Sequence, residues 1–206
     1  MTRITQQKGV AATSLQLLPA TTALAIVDVQ ERLAAAMPEE PLRRHVGKMV
    51  LLVEAARRLG IPVLVTEQYP KGLGRTIPVL HEALRRLPEG AFHRFDKLVF
   101  DCAAVGAWRL AVRATRRRQW IVVGMECHVC VYQTTRSLIG MGLSVHVPRD
   151  AVLSRWKSDW ETGLEMCDRA GAIVTSAETA VFDLLGGAGG EAWKKLAPVI
   201  KRVSQR

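Results

Sequence analysis

The stretch VVGMECHVCVYQTT, residues 122–135, puts Cys127 and Cys130 three positions apart directly after an apolar, β-branched run. Three chemistries fit two thiols at that spacing: a redox dithiol, half of a metal site, or one nucleophile beside a bystander. The dithiol needs a thioredoxin-like context, and the residues around "CHVC" do not settle whether this is one. A structural zinc needs four ligands. Cys127, His128 and Cys130 crowd into one turn, Cys102 and Cys167 are far off in sequence, and no second paired motif supports a metal. A nucleophile needs a base and a cation near the thiol.

Candidates for both stand where apolar runs end. Asp28 closes "ALAIVDV", as a turn carboxylate or as a general base in a partly desolvated cleft. Lys97 lies in "RFDKLVFD" between Phe95 and Phe100. Facing inward it needs a carboxylate or thiolate partner, and facing outward it is an ordinary surface lysine. "TEQYPKGLG" follows another apolar run, and its proline and glycines mark a loop able to line a pocket, with Glu67 and Tyr69 either as ligand contacts or as part of a turn-forming stretch. Cys130 falls near the first turn of the segment "VCVYQTTRSLIGMG", where the helix dipole favours a thiolate.

The elements that must position these residues alternate. Five short runs, 23–29, 61–67, 119–124, 143–148 and 172–176, are separated by longer segments of helical period. A sixth extended piece around 92–98 is more polar. Such alternation predicts an α/β fold, a doubly wound, mainly parallel six-stranded sheet with helices on both faces. Gly60, Gly142 and Gly171 stand where helices should stop before strands. A glycine-rich hinge then leads into an amphipathic C-terminal helix at "EAWKKLAPVIKRV". In open α/β sheets ligands sit beyond the carboxyl ends of the strands, which gathers Asp28, Lys97 and Cys130 on one edge.

Composition narrows the classes further. A chain of 206 residues with 49% hydrophobic residues suits a single domain over 21–206, with a flexible leader expected over 1–20. No apolar run approaches the roughly 20 residues that span a bilayer, and the N-terminal segment lacks the apolar core of a secretory signal, so a cytoplasmic protein is expected. The formal charge of +10 permits anionic partners, yet arginines alternate with apolar residues in "WRLAVRATRRRQW" as on solvated helix faces. Nucleic acid is therefore not an expected partner. Core packing is expected of the five tryptophans, Trp156 and Trp160 among them.

The segments "ALAIVDVQERL", "DKLVFD" and "VVGMECHVCVYQTTRSLIGMGLSVHVPRDAV" together resemble the isochorismatase-like cysteine hydrolases, which include nicotinamidases and carbamoylsarcosine-type amidohydrolases. "VTEQYPKGLGRTIP" and "GAIVTSAETAVFDLL" make the chain look most like the isochorismatase-domain-containing proteins of unassigned substrate. The resemblance covers about residues 20–200 and implies a Cys–Asp–Lys triad of Cys130, Asp28 and Lys97. It implies an oxyanion hole from the backbone amides of Glu126 and Cys130, a cis peptide between Met125 and Glu126, and pocket positions at Gln30, Glu67, Tyr69 and Cys127. The family's nicotinamidases carry metal-binding histidines after the second strand. Here no histidine follows until His81, so neither metal nor cofactor is implied. A nucleophilic cysteine points to attack on a carbonyl-like carbon of a small amide rather than to vinyl-ether hydrolysis. A homo-oligomer, dimer or tetramer, is implied as well. Asp101 and Glu126 depart from the family pattern, as specificity elements or as local hydrogen-bond anchors. The alternatives are a catalytically silent oligomeric scaffold and a thiol-redox protein using Cys127 and Cys130.

Overall fold

Strand β1 (Thr22–Val27) is buried along its whole length and shows why it sits at the centre of a sheet. Ala23, Ala25 and Val27 face one apolar cluster, Leu24 and Ile26 the other, so both faces of the strand are covered. β4 (Gln119–Met125) behaves likewise, with Trp120 and Val122 on one side and Ile121 and Val123 on the other. The computed structural model describes residues 15–204.

β1 pairs in parallel with β4 and with β2 (Val63–Gln68). β2 carries β3 (Phe92–Lys97) at one edge; β4 carries β5 (Ser144–Pro148), and β5 carries β7 (Ile173–Thr175). The order is β3-β2-β1-β4-β5-β7, with the two-residue β6 (Val152–Leu153) pairing with the end of β4. The sheet therefore has seven strands rather than the expected six. β6 escapes sequence analysis because two residues carry no period. The polar segment 92–98 does join the sheet, as an edge strand where polar side chains face solvent.

Helices α2 (Glu39–Leu59), α4 (Pro78–Arg85), α8 (Ala177–Leu185) and α9 (Glu191–Ser204) pack on one face. The other face is covered by α5 (Gly106–Thr115), α6 (Tyr132–Gly140) and α7 (Lys157–Arg169). Two short helices, α1 (Glu31–Ala35) and α3 (Pro70–Leu73), lie in the loops after β1 and β2. Gly60 ends α2 in the left-handed conformation at φ +66°, as its position before β2 requires. Residues 1–14 of the expected leader lie outside the described residues. Its last part is tied to the sheet: Leu17 is fully buried, and the Gln119 carboxamide accepts the Leu18 N–H and donates to the Gln16 carbonyl. Trp156 is 68% exposed, not packed in the core, while the Trp160 indole N–H donates to the Val152 carbonyl.

The chain runs from β1 towards β2 on one side and from β4 towards β5 on the other. The crevice between β1 and β4 is thus the point where strand order reverses, and a ligand site is expected there.

Candidate active site

Asp28 is the first residue past β1 and adopts φ +53°, a conformation rare outside glycine, asparagine and aspartate. The turn buries its carboxylate completely at the mouth of the crevice. Thr66 Oγ1 donates to Asp28 Oδ1 at 2.8 Å, and Lys97 Nζ donates to Oδ2 at 2.5 Å. Lys97, left open as inward or outward by sequence, points in. Its ammonium also meets Gln68 Oε1 at 2.7 Å and the carbonyls of Val99 and Phe100, each at 3.2 Å. Burial pulls this amine down, but the Asp28 carboxylate, helped by the nearby thiols of Cys102 and Cys130, outweighs it and holds the ammonium form beyond its ordinary range.

β4 delivers the other half. Gly124, at φ +124°, lies so close to β1 that a Cβ there would stand 2.0 Å from the Val27 carbonyl oxygen. Only glycine allows the two strand ends to meet this way. After the cis Met125–Glu126 peptide the chain makes a wide turn over Cys127–Val131, closed by Val131 N–H donating to the Glu126 carbonyl five residues back. Cys130 leaves this turn towards β1, 6% exposed, with its thiol within the electrostatic reach of Asp28 and Lys97. Burial, then the Asp28 charge, push the thiol well above its usual range, against the opposing pull of Lys97. This direction runs against the thiolate expected at a helix start: burial is the largest influence on the sulfur and the Asp28 carboxylate the next. Lys97, Asp28 and Cys130 thus lie buried together at the crevice.

Cys127 is buried against Cys167 of α7 instead. Their hydrogen bond, together with burial, pushes the Cys127 thiol up. The two cysteines of "CHVC" thus face different partners, Asp28 and Cys167, and all four cysteines are free thiols. Gly163 lets α7 close on the turn, since a Cβ there would stand 2.6 Å from the His128 nitrogen and 2.8 Å from Cys127 Sγ.

Of the other residues singled out by sequence, Gln30 is buried and clamps two loops. Its carboxamide accepts the Gln68 N–H at 2.7 Å and donates to the carbonyls of Gln68 and Gly74. Glu67 is buried too, accepting from Arg75 and from the amide and hydroxyl of Thr76. Tyr69 stands half-exposed at the rim, 51% accessible. Asp101 accepts from Ser137 Oγ and from the Ala103 N–H, and Glu126 accepts from the backbone and guanidinium of Arg155. Both acids are local anchors in this structure.

Three further side chains shape the site without a sequence pattern that assigns them to it. Thr66, in register with Val27, steers the Asp28 carboxylate; its signal was a lone hydroxyl at the inward end of an apolar strand. Cys102 is fully buried with Sγ 3.5 Å from Thr66 Oγ1, its thiol pushed up to about 11 by burial. Ser154, just past β6, accepts the Cys127 N–H at 3.1 Å and contacts His128 Nδ1 at 3.0 Å, stitching the turn to its neighbour. Among the described residues no group of three or more metal-ligating side chains is gathered. Nor is any described helix long and apolar enough to cross a membrane.

An isochorismatase domain profile matches residues 22–179. The chain is 34% identical to the secreted isochorismatase effector Isc1 of Phytophthora sojae, over 90% of this chain and 87% of that protein. It is 35% identical to isochorismatase domain-containing protein 1 of Salmo salar, covering 90% of this chain and 62% of the relative. Among solved structures, the MAR1 ribonuclease from Caenorhabditis elegans superposes with a TM-score of 0.82 at 36% identity, over 90% of this chain and 92% of that one.

Proposed function

The chain belongs to the isochorismatase family, and from that premise we propose that it is a metal-independent cysteine hydrolase cleaving a C–N, amide-like bond of a small molecule. The observation that carries the proposal is the Asp28 carboxylate, bound to the Lys97 ammonium and beside the Cys130 thiol at the β1/β4 crevice. A buried carboxylate already neutralised by an ammonium can take one proton from a thiol without leaving an unpaired charge, because the new thiolate inherits the ammonium as its partner.

In this mechanism Cys130 Sγ attacks the carbonyl carbon while its proton passes to Asp28. The tetrahedral oxyanion is held by the backbone amides of Glu126 and Cys130, the Cys127 amide being engaged by Ser154. Collapse breaks the C–N bond, and Asp28 returns the proton to the leaving amine. Asp28 then takes a proton from water as the water oxygen attacks the thioester, the C–S bond breaks to release the carboxylic acid, and Asp28 returns that proton to Cys130 Sγ. Thr66 and Lys97 keep one carboxylate orientation through both halves. Exposed apolar side chains at this edge, Leu98, Phe100 and Trp156, suit self-association around the pocket.

The test is the rate of Cys130 alkylation by iodoacetamide, mapped by mass spectrometry across pH, beside turnover on a panel of small amides. Asp28 is one cause of the raised thiol and Lys97 opposes it. Asp28→Asn should therefore speed alkylation near pH 8 while lowering turnover by about 10²–10⁴-fold, the usual range for a general base. Lys97→Met should slow both. If neither substitution alters Cys130 reactivity, the triad proposal fails, and the scaffold or redox alternative takes its place.

A further inference from the structure

The four arginines of "RATRRR" are not spread over a helix face. α5 ends at Thr115, and Arg116 turns the chain in the left-handed conformation at φ +54°. This turn gathers Arg113, Arg116, Arg117 and Arg118 around a cleft of about 630 Å³ at the amino edge of the sheet, opposite Asp28 and Cys130. Val112, Met141 and Leu143 supply its apolar wall. The cluster is held in place: Thr115 Oγ1 accepts the Arg117 N–H, the Arg117 guanidinium donates to the carbonyls of Pro19 and Ala20, and Arg118 bridges Thr21 and Ser144 through its backbone.

Its charges are unbalanced. Elsewhere cations pair with acids, as Arg44 with Glu40, Arg57 with Glu54, Arg75 with Glu67 and Arg169 with Glu165. No described carboxylate forms such a pair with any of the four arginines, and residues 103–149 hold seven arginines against the single acid Glu126, which is bound to Arg155 at the far edge. Guanidinium groups offer planar, multiple donors that match phosphate oxygens. A concave site of this volume, walled on one side by apolar side chains, fits a ligand of nucleotide size rather than a flat bilayer surface.

We infer that this cleft binds the phosphate-ester group of a nucleotide, its arginines on the phosphates and its apolar wall against the ring. The nucleotide can be free or part of an RNA strand, which share this chemistry. The experiment measures binding of a fluorescent adenosine triphosphate analogue and of a labelled single-stranded RNA 10-mer to the full chain at several salt concentrations. Arg113→Gln/Arg118→Gln should weaken whichever probe binds at least tenfold. For RNA, the slope of log K against log salt should fall by about 0.7 per arginine removed. Arg43→Gln/Arg202→Gln, the same charge change at exposed sites elsewhere, should leave binding within about twofold. Binding of the triphosphate as tight as that of RNA identifies a free nucleotide, and binding of the 10-mer alone identifies a strand. Binding of neither probe at low salt, or equal weakening in both double variants, overturns the inference.

Discussion

The two edges of the sheet handle charge in opposite ways. At the carboxyl edge three acids are buried and each of these is bound to a cation: Asp28 to Lys97, Glu67 to Arg75 and Arg94, Glu126 to Arg155. At the amino edge Arg113, Arg116 and Arg118 stand exposed around a cleft, with no described acid beside them. Desolvation explains the first pattern, because a buried charge without a partner is intolerable and the site must assemble as a set. Solvation permits the second, where water supports each guanidinium but leaves a strong local field. A net charge of +10 describes neither edge, since what matters is which charges find partners.

The sharpest way to break this contrast is to orphan one charge at the carboxyl edge. Lys97→Met removes the ammonium at 2.5 Å from Asp28 and leaves a buried carboxylate that still accepts from Thr66 Oγ1 but has lost its cation. Loss of one partner of a buried pair costs about 3–5 kcal/mol, to be read from urea unfolding midpoints. Adding Asp28→Asn should recover much of that loss, because the orphaned charge goes with it. If the double variant is as unstable as the single, the pair is not what holds this edge.

Glu67 gives the same contrast a pH axis. Burial alone would raise its carboxyl, but the bonds from Arg75 and Thr76 and the charge of Arg94 prevail and hold it below the ordinary 4.5. The native state then binds fewer protons than the unfolded state as pH falls, so the stabilisation is intact above about pH 5 and fades through the lowered native value. Glu67→Gln should cost about 1–3 kcal/mol at pH 7, and the difference from the parent should close in acid. A difference that stays constant down to pH 3 would mean that the loop 68–76 does not depend on the charged form.

How much of this was legible follows from the range of the forces involved. The central strands were, because β1 and β4 must be apolar on both faces, and so was the edge on which Asp28, Lys97 and Cys130 meet. The direction of Lys97 was not, since an edge strand of mixed polarity has no period that says which face is buried. Gln30 and Glu67, pocket positions by resemblance, hold the loop 68–76 in this structure through bonds whose partners no local pattern encodes. The pairing of Cys127 with Cys167 spans 40 positions and depends on the absent side chain of Gly163. The arginine run looked like a solvated helix face, and only the turn at Arg116 shows that it closes on a cleft.

The smallest expected effect has the most informative sign. Arg75 is 61% exposed but paired with buried Glu67, while Arg113 and Arg118 are exposed without a described acid. Arg75→Gln should therefore lower Tm at any ionic strength, because it unbalances a buried carboxylate. Arg113→Gln/Arg118→Gln should raise Tm by about 1–2 °C at low salt, a surface effect of ordinary size that comes from relieving like-charge repulsion. That gain should vanish near 1 M salt, where the screening length shrinks to about 3 Å from about 30 Å at 0.01 M. Opposite signs for arginines of similar exposure would show that pairing, and not burial of the arginine itself, separates the two edges. A loss of stability in both would mean that the amino-edge arginines are structural after all, and that their cleft is closed by contacts of their own rather than held open for an anion.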